Sequence, residues 1–249
     1  MNSVTIRNLL VRGMLAGLAA GVLALVVAYL LGEPQVDAAI AFEEAHSHEH
    51  EMEVVSRGVQ ATAGLATGVL VYGVALGGIA ALAFCFALGR IGRFGARATA
   101  ALLSGAALLA VYLVPFLKYP ANPPSVGDPD TIGKRTALYF LMMLLGILLA
   151  VAATILGRRL APKLGNWYAA VAAVAAFVVA IGLAYAFLPA INEVPHGFSA
   201  TLLWQFRLSA IAIQLVLWTA FGLVFGHLAE RVVPTRSQAT AAEAAPAAS

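Results

Sequence analysis

The feature that most constrains this chain is a succession of long apolar runs, separated by short segments rich in charge or proline. Its mean hydropathy is +0.89, and only 11% of its residues are charged. A soluble domain carries about 25% charge, so water would not keep so apolar a surface dissolved. A bilayer accommodates such a chain if the backbone satisfies its hydrogen bonds inside helices. The sequence therefore predicts an all-α integral membrane protein.

Six runs come close to or exceed the roughly 20 residues that one helical crossing needs. We expect helices at 13–31, 58–88, 98–117, 136–157, 167–188 and 202–227. The connections between them predict about six transmembrane helices arranged as three hairpins, in one domain at 1–230. The Ala/Thr/Ser-rich tail at 231–249 is expected to be disordered and cytoplasmic. The first run is longer than the apolar region of a signal peptide, so we expect it to remain as a helix.

Glycines recur at every fourth position in the first two runs. Gly13, Gly17 and Gly21 share this spacing in the first, and the pairs Gly64/Gly68 and Gly73/Gly77 share it in the second. Residues four apart lie on one helix face, and a face without side chains lets two backbones approach closely. The spacing predicts tight packing of the first helix against another helix.

Basic residues divide unevenly between the two sides that six crossings would create. One side would hold Arg7, Arg12, Arg90, Arg93, Arg97, Arg158, Arg159, Lys163, Arg231 and Arg236. The other would hold Arg57, Lys118, Lys134, Arg135 and Arg207. The excess of ten against five predicts that the first side, with both termini, faces the cytoplasm across the inner (cytoplasmic) membrane.

An acid–histidine cluster stands in the polar segment 32–57, which we expect to be a loop on the outer side. Its candidate metal ligands are His46, His48, His50, Glu44 and Glu49. On an extended segment the three imidazoles point to one side, and on a helix His46 and His50 share a face. Imidazole suits Zn, Cu, Fe, Ni and related ions. The alternative interpretation is a solvated acidic loop whose histidines are incidental.

Such a cluster cannot choose one metal, because the affinity of a given site rises from Co through Ni to Cu. Selectivity would need a second, fixed site, for which His196 is the best candidate. The polar residues that could line a path or serve the structure are Lys118, Asn122, Trp204, Arg207 and Gln214. A lysine at a helix end often snorkels, tryptophan anchors at interfaces, and glutamine bonds between helices, so the structural alternatives stay open.

Catalytic and nucleotide-binding patterns are not evident. The string from Gly127 to Arg135 differs from a phosphate-binding loop, because five residues separate its glycines and arginine follows the lysine. We expect no catalytic residues and no permanently bound cofactor, so the chain is not expected to be an enzyme. The pI near 9.2 reflects orientation signals, and we expect no nucleic-acid partner.

Several strings of the chain resemble the CbtA family of predicted cobalt transporter subunits, over about residues 8–229. They are the acid–histidine segment, Val-Ser-Arg-Gly-Val-Gln at 55–60, Pro-Phe-Leu-Lys-Tyr-Pro-Ala-Asn-Pro-Pro at 115–124, and Leu-Leu-Trp-Gln-Phe-Arg at 202–207 with Gln214, Trp218 and Gly222. The resemblance implies cobalt uptake serving cobalamin synthesis, with a small single-helix, histidine-containing partner, CbtB. Members commonly carry Phe-Pro-Ala where this chain has Phe198-Ser199-Ala200, which alters the loop beside His196.

Two functions follow as hypotheses. The first is import of a divalent transition-metal cation, Co²⁺ in the first place and Ni²⁺ or Zn²⁺ as alternatives. The second is a membrane enzyme, or an assembly or scaffold factor, that acts at the outer leaflet through Lys118 and Arg207. A homo-oligomer is compatible with either.

Overall fold

The computed structural model describes residues 2–46 and 55–233, and every regular element in those ranges is a helix. The helices are α1 (Ser3–His46), α2 (Arg57–Ala87), α3 (Ala96–Lys118), α4 (Ile132–Phe187) and α5 (Ala200–Glu230). Each is long and apolar enough to span a membrane, α4 together with the 3₁₀ turn Pro129–Thr131 before it. The predicted all-α membrane class is confirmed.

The helix α4 is folded back on itself at Gly165. That residue has φ 75° and ψ 162°, a conformation that ends a helix and favours glycine. A Cβ built on Gly157 would lie 3.3 Å from the Cβ of Ala173, whereas 16 residues of straight helix would separate them by about 24 Å. Two antiparallel arms, 132–164 and 166–187, therefore stand where two helices were expected. The number of membrane crossings stays a prediction.

The first helix extends further than expected. The prediction of a loop over 32–57 is wrong for its first part, because Glu33–His46 continues α1 as a helix. This stretch contains four alanines and three glutamates, which favour helix, and Pro34 stands in its first turn. A π-helical turn at Ala28–Gly32 joins it to the apolar part. The acid–histidine cluster thus begins on a helix. Residues 47–54 and the tail from 234 lie outside the described residues.

The chain divides into two compact units. The first comprises 2–26, 62–105 and 215–233 of the described residues. In it α1 and α2 meet backbone to backbone, since a Cβ added to Gly73 would lie 2.6 Å from the carbonyl oxygen of Gly17. Gly13 meets Gly77 in the same way, because a Cβ added to Gly13 would lie 2.5 Å from the carbonyl oxygen of Gly77. The predicted close packing is confirmed for Gly13, Gly17, Gly73 and Gly77, whereas a Cβ added at Gly68 would meet nothing within 4 Å.

Aromatic and ionic contacts complete the first unit. The ring of Phe225 stacks on Phe221 at 5.2 Å and meets the edge of Phe84 at 5.1 Å. At the end of α5, Arg97 pairs with Glu230 at 2.5 Å, and Arg12 donates to the Leu228 carbonyl at 2.7 Å. Both arginines lie against the carbonyl end of that helix, where positive charge is favoured.

The second unit comprises 27–46, 55–61 and 106–214 of the described residues. Its core includes Val114, Met142 and Ile181, which join α3 to both arms of α4. The extension of α1 is part of this unit, because Ala39 is buried against Val126 and Phe198. Apolar packing therefore holds the helix on which the acid–histidine cluster begins to the proline-rich segment after α3.

Candidate functional site

The proline-rich segment after α3 is anchored by the last residues of that helix. Lys118 Nζ donates to the Tyr185 carbonyl at 2.8 Å, and the Tyr119 hydroxyl donates to the Pro189 carbonyl at 2.9 Å. The Tyr185 hydroxyl in turn donates a hydrogen bond to the Val114 carbonyl. A lysine at the carbonyl end of a neighbouring helix satisfies an acceptor that the helix leaves open. Lys118, predicted either to line a path or to serve the structure, caps the carbonyl end of α4 here.

A polar cavity of about 540 Å³ opens beside this segment. Its walls come from four parts of the second unit: the segment after α3, the start of α4, the loop after α4 and the start of α5. The polar residues that line it are Tyr119, Asn122, Arg135, Thr136, Tyr139, Asn192, Glu193 and Arg207. It combines two guanidinium groups with one carboxylate.

Glu193 is the fixed acid of the cavity. One carboxylate oxygen accepts from the Asp128 amide at 2.9 Å, and the other accepts from the Thr131 hydroxyl at 2.7 Å. Arg135 Nε lies 3.3 Å from the first oxygen. These donors favour the ionised form, so they hold the pKa of Glu193 below its ordinary value, with the Asp128 amide as the largest cause.

The segment from Gly127 to Arg135, compared above with a phosphate-binding loop, forms the turn that leads into α4. Gly127 has φ 131°, and a Cβ there would collide with the guanidinium of Arg135. Asp128 accepts from the Asp130 amide at 2.9 Å and so caps the turn that leads into α4. Residues 127–135 therefore position Arg135 and donate hydrogen bonds to Glu193, and both of these side chains line the cavity.

Arg207 reaches across to the proline-rich segment. Its Nε donates to the Ala121 carbonyl at 3.3 Å and its Nη2 to Asn122 Oδ1 at 3.0 Å. The side chain is half-buried. Within the ranges that the structure describes, no carboxylate oxygen lies within 4.0 Å of it. Two predicted residues, Asn122 and Arg207, are thus in direct contact, and both line the cavity.

His46 ends the extension of α1 with its ring exposed and oriented. Nδ1 lies 2.8 Å from the Phe42 carbonyl, and the ring stacks on Phe42 with centroids 4.2 Å apart. A carbonyl only accepts, so in the neutral ring Nδ1 carries the hydrogen and Nε2 keeps the lone pair. Histidines that bind metals are commonly held in this way by a backbone carbonyl. Nε2 of His46 is suited to ligate a cation.

The loop that contains His196 packs against the same helix. Phe198 is buried, and its ring meets Phe42 edge to face at 5.0 Å. His196 itself is exposed two residues earlier. Phe42 thus contacts both His46 and the anchor of the His196 loop. Glu44 is exposed on the extension, whereas His48, Glu49 and His50 lie outside the described residues.

The remaining predicted residues lie apart from the cavity lining. Trp204 is 61% exposed, as expected of an anchor at a membrane interface. Gln214 has a buried Oε1 with no hydrogen-bond partner in the part of the chain that the structure describes. No group of three or more His, Cys, Asp or Glu side chains in 2–46 and 55–233 is arranged to hold a metal ion.

Sequence reasoning missed the ion pairs that surround these residues. Arg57 at the start of α2 pairs with Glu33 and, at 2.9 Å, with Asp37 of the α1 extension. Glu193 and Arg135 are 58 positions apart in the sequence and meet only through the fold. The signal available beforehand was the recurrence of an arginine near the start of α2, α4 and α5.

One known protein family matches nearly the whole chain. The family described as "Probable cobalt transporter subunit (CbtA)" matches residues 6–230. No curated protein and no solved structure gives a significant match to the chain. The match covers all five long helices except the first three residues of α1. The chain therefore belongs to the CbtA family of probable cobalt transporter subunits.

Proposed function

We propose that this chain is the multi-pass subunit that moves Co²⁺ inward across the cytoplasmic membrane, to supply cobalamin synthesis. The family match over 6–230 supports a cobalt transporter subunit. The basic residues assigned to the cytoplasmic side support inward orientation of both termini. Catalysis is not part of this function, and the cation is a substrate that does not stay bound.

The observation that carries the capture step is the geometry of His46. Its ring is held by the Phe42 carbonyl with Nε2 left as the ligand atom, and Glu43 and Glu44 are exposed on the same helical end. Carboxylates raise the local concentration of cations, and a neutral imidazole then supplies a nitrogen ligand. His46, His48 and His50, with Glu44 and Glu49, would collect the ion, and His196 would receive it from the neighbouring loop.

A partner completes this proposal. One oriented imidazole is a weak site, and stable transition-metal sites generally use about four ligands. A small single-helix subunit with histidines of its own, of the CbtB kind, would supply the missing ligands. Ni²⁺ and Zn²⁺ would compete for the same donors, because imidazole does not separate them.

Uptake of radiolabelled Co²⁺ into vesicles tests the proposal. The chain with and without the small subunit is compared with a variant in which His46, His48 and His50 are alanine. At limiting Co²⁺ we expect the triple variant to lose about tenfold in initial rate. His227→Ala is the matched control, since that histidine lies beside Arg97 and Arg231 at the end of α5.

Two results would contradict the proposal. Equal uptake by the triple variant would remove the capture step. Absence of uptake in every combination, with folded protein in the vesicles, would favour the assembly or scaffold alternative.

A further inference from the structure

Three arginines occupy matching places in this fold. Arg57 stands at the start of α2, Arg135 in the first turn of α4, and Arg207 in the second turn of α5. Arg57 pairs with Glu33 and Asp37, and Arg135 pairs with Glu193. Arg207 differs from both, because its described partners are an amide oxygen and a carbonyl oxygen. Arg57 and Arg135 both bind carboxylates, so a carboxylate is the group expected to bind an arginine at this place.

The charge on Arg207 is therefore uncompensated within the described residues. A guanidinium has five N–H donors, and the two bonds to Ala121 and Asn122 use Nε and Nη2. Neutral oxygens solvate a cation but do not cancel its charge. A half-buried cation near a membrane needs an anionic partner or a water-filled cavity. Arg207 lines such a cavity.

The cavity has the size and polarity of a small-molecule site. Its volume of about 540 Å³ lies within the 300–1,000 Å³ common for ligand pockets. Pro120, Pro123, Pro124, Ile132, Ile191 and Val194 give it apolar walls between the polar groups. Arg135 and Glu193 cancel each other, so the lining carries one net positive charge from Arg207.

We propose that this cavity binds a small carboxylate anion through Arg207, with Asn122 beside the bound group. The planar fork of a guanidinium matches a carboxylate in two parallel hydrogen bonds. A bare divalent cation would be repelled, whereas a carboxylate complex of that cation with net negative charge would be attracted. The site is independent of the histidine cluster, and its existence does not depend on the proposed transport function.

Substitution of Asn122 provides a sharp test. Asn122→Asp changes one atom type and places a carboxylate beside Arg207, where Asn122 Oδ1 now lies at 3.0 Å. The new carboxylate should form an ion pair with the Arg207 guanidinium, as Glu33 does with Arg57, and so compete with an added carboxylate ligand. We expect it to raise the unfolding temperature of the protein without ligand and to weaken carboxylate binding at least about tenfold.

The measurement is isothermal titration calorimetry on the purified full chain in detergent. The probes are citrate, its 1:1 cobalt complex and inorganic phosphate. The wild type should bind citrate or its cobalt complex, and whichever binds more tightly shows whether the carboxylate arrives alone or with the metal. Arg207→Gln should lose this binding, whereas Arg93→Gln, an exposed arginine between α2 and α3, should retain it.

Clear outcomes would overturn the proposal. It fails if the wild type binds neither form of citrate, or if Asn122→Asp binds as tightly as the wild type while folded. It also fails if phosphate binds and citrate does not, because the site would then recognise a phosphate group of a lipid or a free phosphate. The uptake assay with the histidine variants is a separate measurement, so either proposal can fail while the other stands.

Discussion

Glu193 shows how much of the cavity wall depends on one ionised group. Its two oxygens accept from Asp128 and Thr131, and Arg135 adds a positive charge. Each contact favours the carboxylate over the carboxylic acid, so the pKa of Glu193 is low in the folded protein. A group with a lowered folded-state pKa stabilises the fold above its unfolded value, about 4.3 for glutamate. That stabilisation is lost as the pH falls through the folded value.

Glu193→Gln should therefore destabilise the protein near neutral pH, because an amide group would set an N–H donor against the donors around it. The difference in unfolding temperature between wild type and variant should shrink as the pH is lowered from about 6 to about 3. Thermal unfolding in detergent measures it. Glu43→Gln, at an exposed position on α1, is the control. A difference that does not change with pH would contradict the role given to the ionised form.

At this scale the sequence identifies residue types better than their partners. Patterns along the chain place Arg207 and Asn122 among the polar candidates, and the structure brings these two residues into contact. They cannot pair Lys118 with the Tyr185 carbonyl or Glu193 with Arg135, because these contacts join positions 67 and 58 apart in the sequence. A local pattern carries no information about which helix ends meet in space.

Elements are predicted best where apolar runs set them. The helices expected at 58–88 and 98–117 appear as Arg57–Ala87 and Ala96–Lys118. The predicted end of α1 is wrong. Hydropathy drops after residue 31, but the residues that follow still favour helix, so the drop does not end the helix. The turn within α4 was expected between 158 and 166, and it lies at Gly165, although the helical hydrogen bonding continues on both sides of it.

The glycine contact between α1 and α2 makes a prediction about this pair of helices. Gly17→Ala would force a Cβ against the backbone of Gly73, so the helices must separate. We expect a loss of about 1–3 kcal/mol in the free energy of unfolding, as for other overpacked sites. Gly68→Ala is the matched control on α2, since a Cβ there meets nothing within 4 Å. Alanine should be neutral or stabilise the helix there by up to about 1 kcal/mol.

Unfolding of both variants in mixed micelles, followed by circular dichroism, gives the comparison. Equal stability of the two variants would show that the close approach of Gly17 and Gly73 contributes nothing. A loss in Gly68→Ala alone would contradict the assignment of the contact face.

For the whole molecule, the decisive prediction is the side on which the acid–histidine cluster lies. Cys85 is the single cysteine, so a Cys85→Ser background allows one new thiol at a time. Glu44→Cys should react with a membrane-impermeant maleimide added to intact cells, whereas Arg93→Cys should react only after the membrane is opened. Both positions are exposed in the structure, so access to solvent is matched.

Labelling of Arg93→Cys in intact cells, without labelling of Glu44→Cys, would reverse the orientation and the proposed direction of transport. Labelling of both would contradict the assignment of α2 as a single crossing, because α2 lies between the two positions. The predicted class needs neither result, because it depends on apolar length alone.

The contact of Gly13 and Gly17 with Gly77 and Gly73 also limits how α1 and α2 can move past each other. A slip of one residue would drive Met14 or Leu18 into space that now holds only backbone. A slip of four residues, about 6 Å, would instead set Gly17 against Gly77 and Gly21 against Gly73, which again are small pairs. The small-residue pairs between these two helices therefore recur at registers one helical turn apart, which is the step by which such a helix pair could shift.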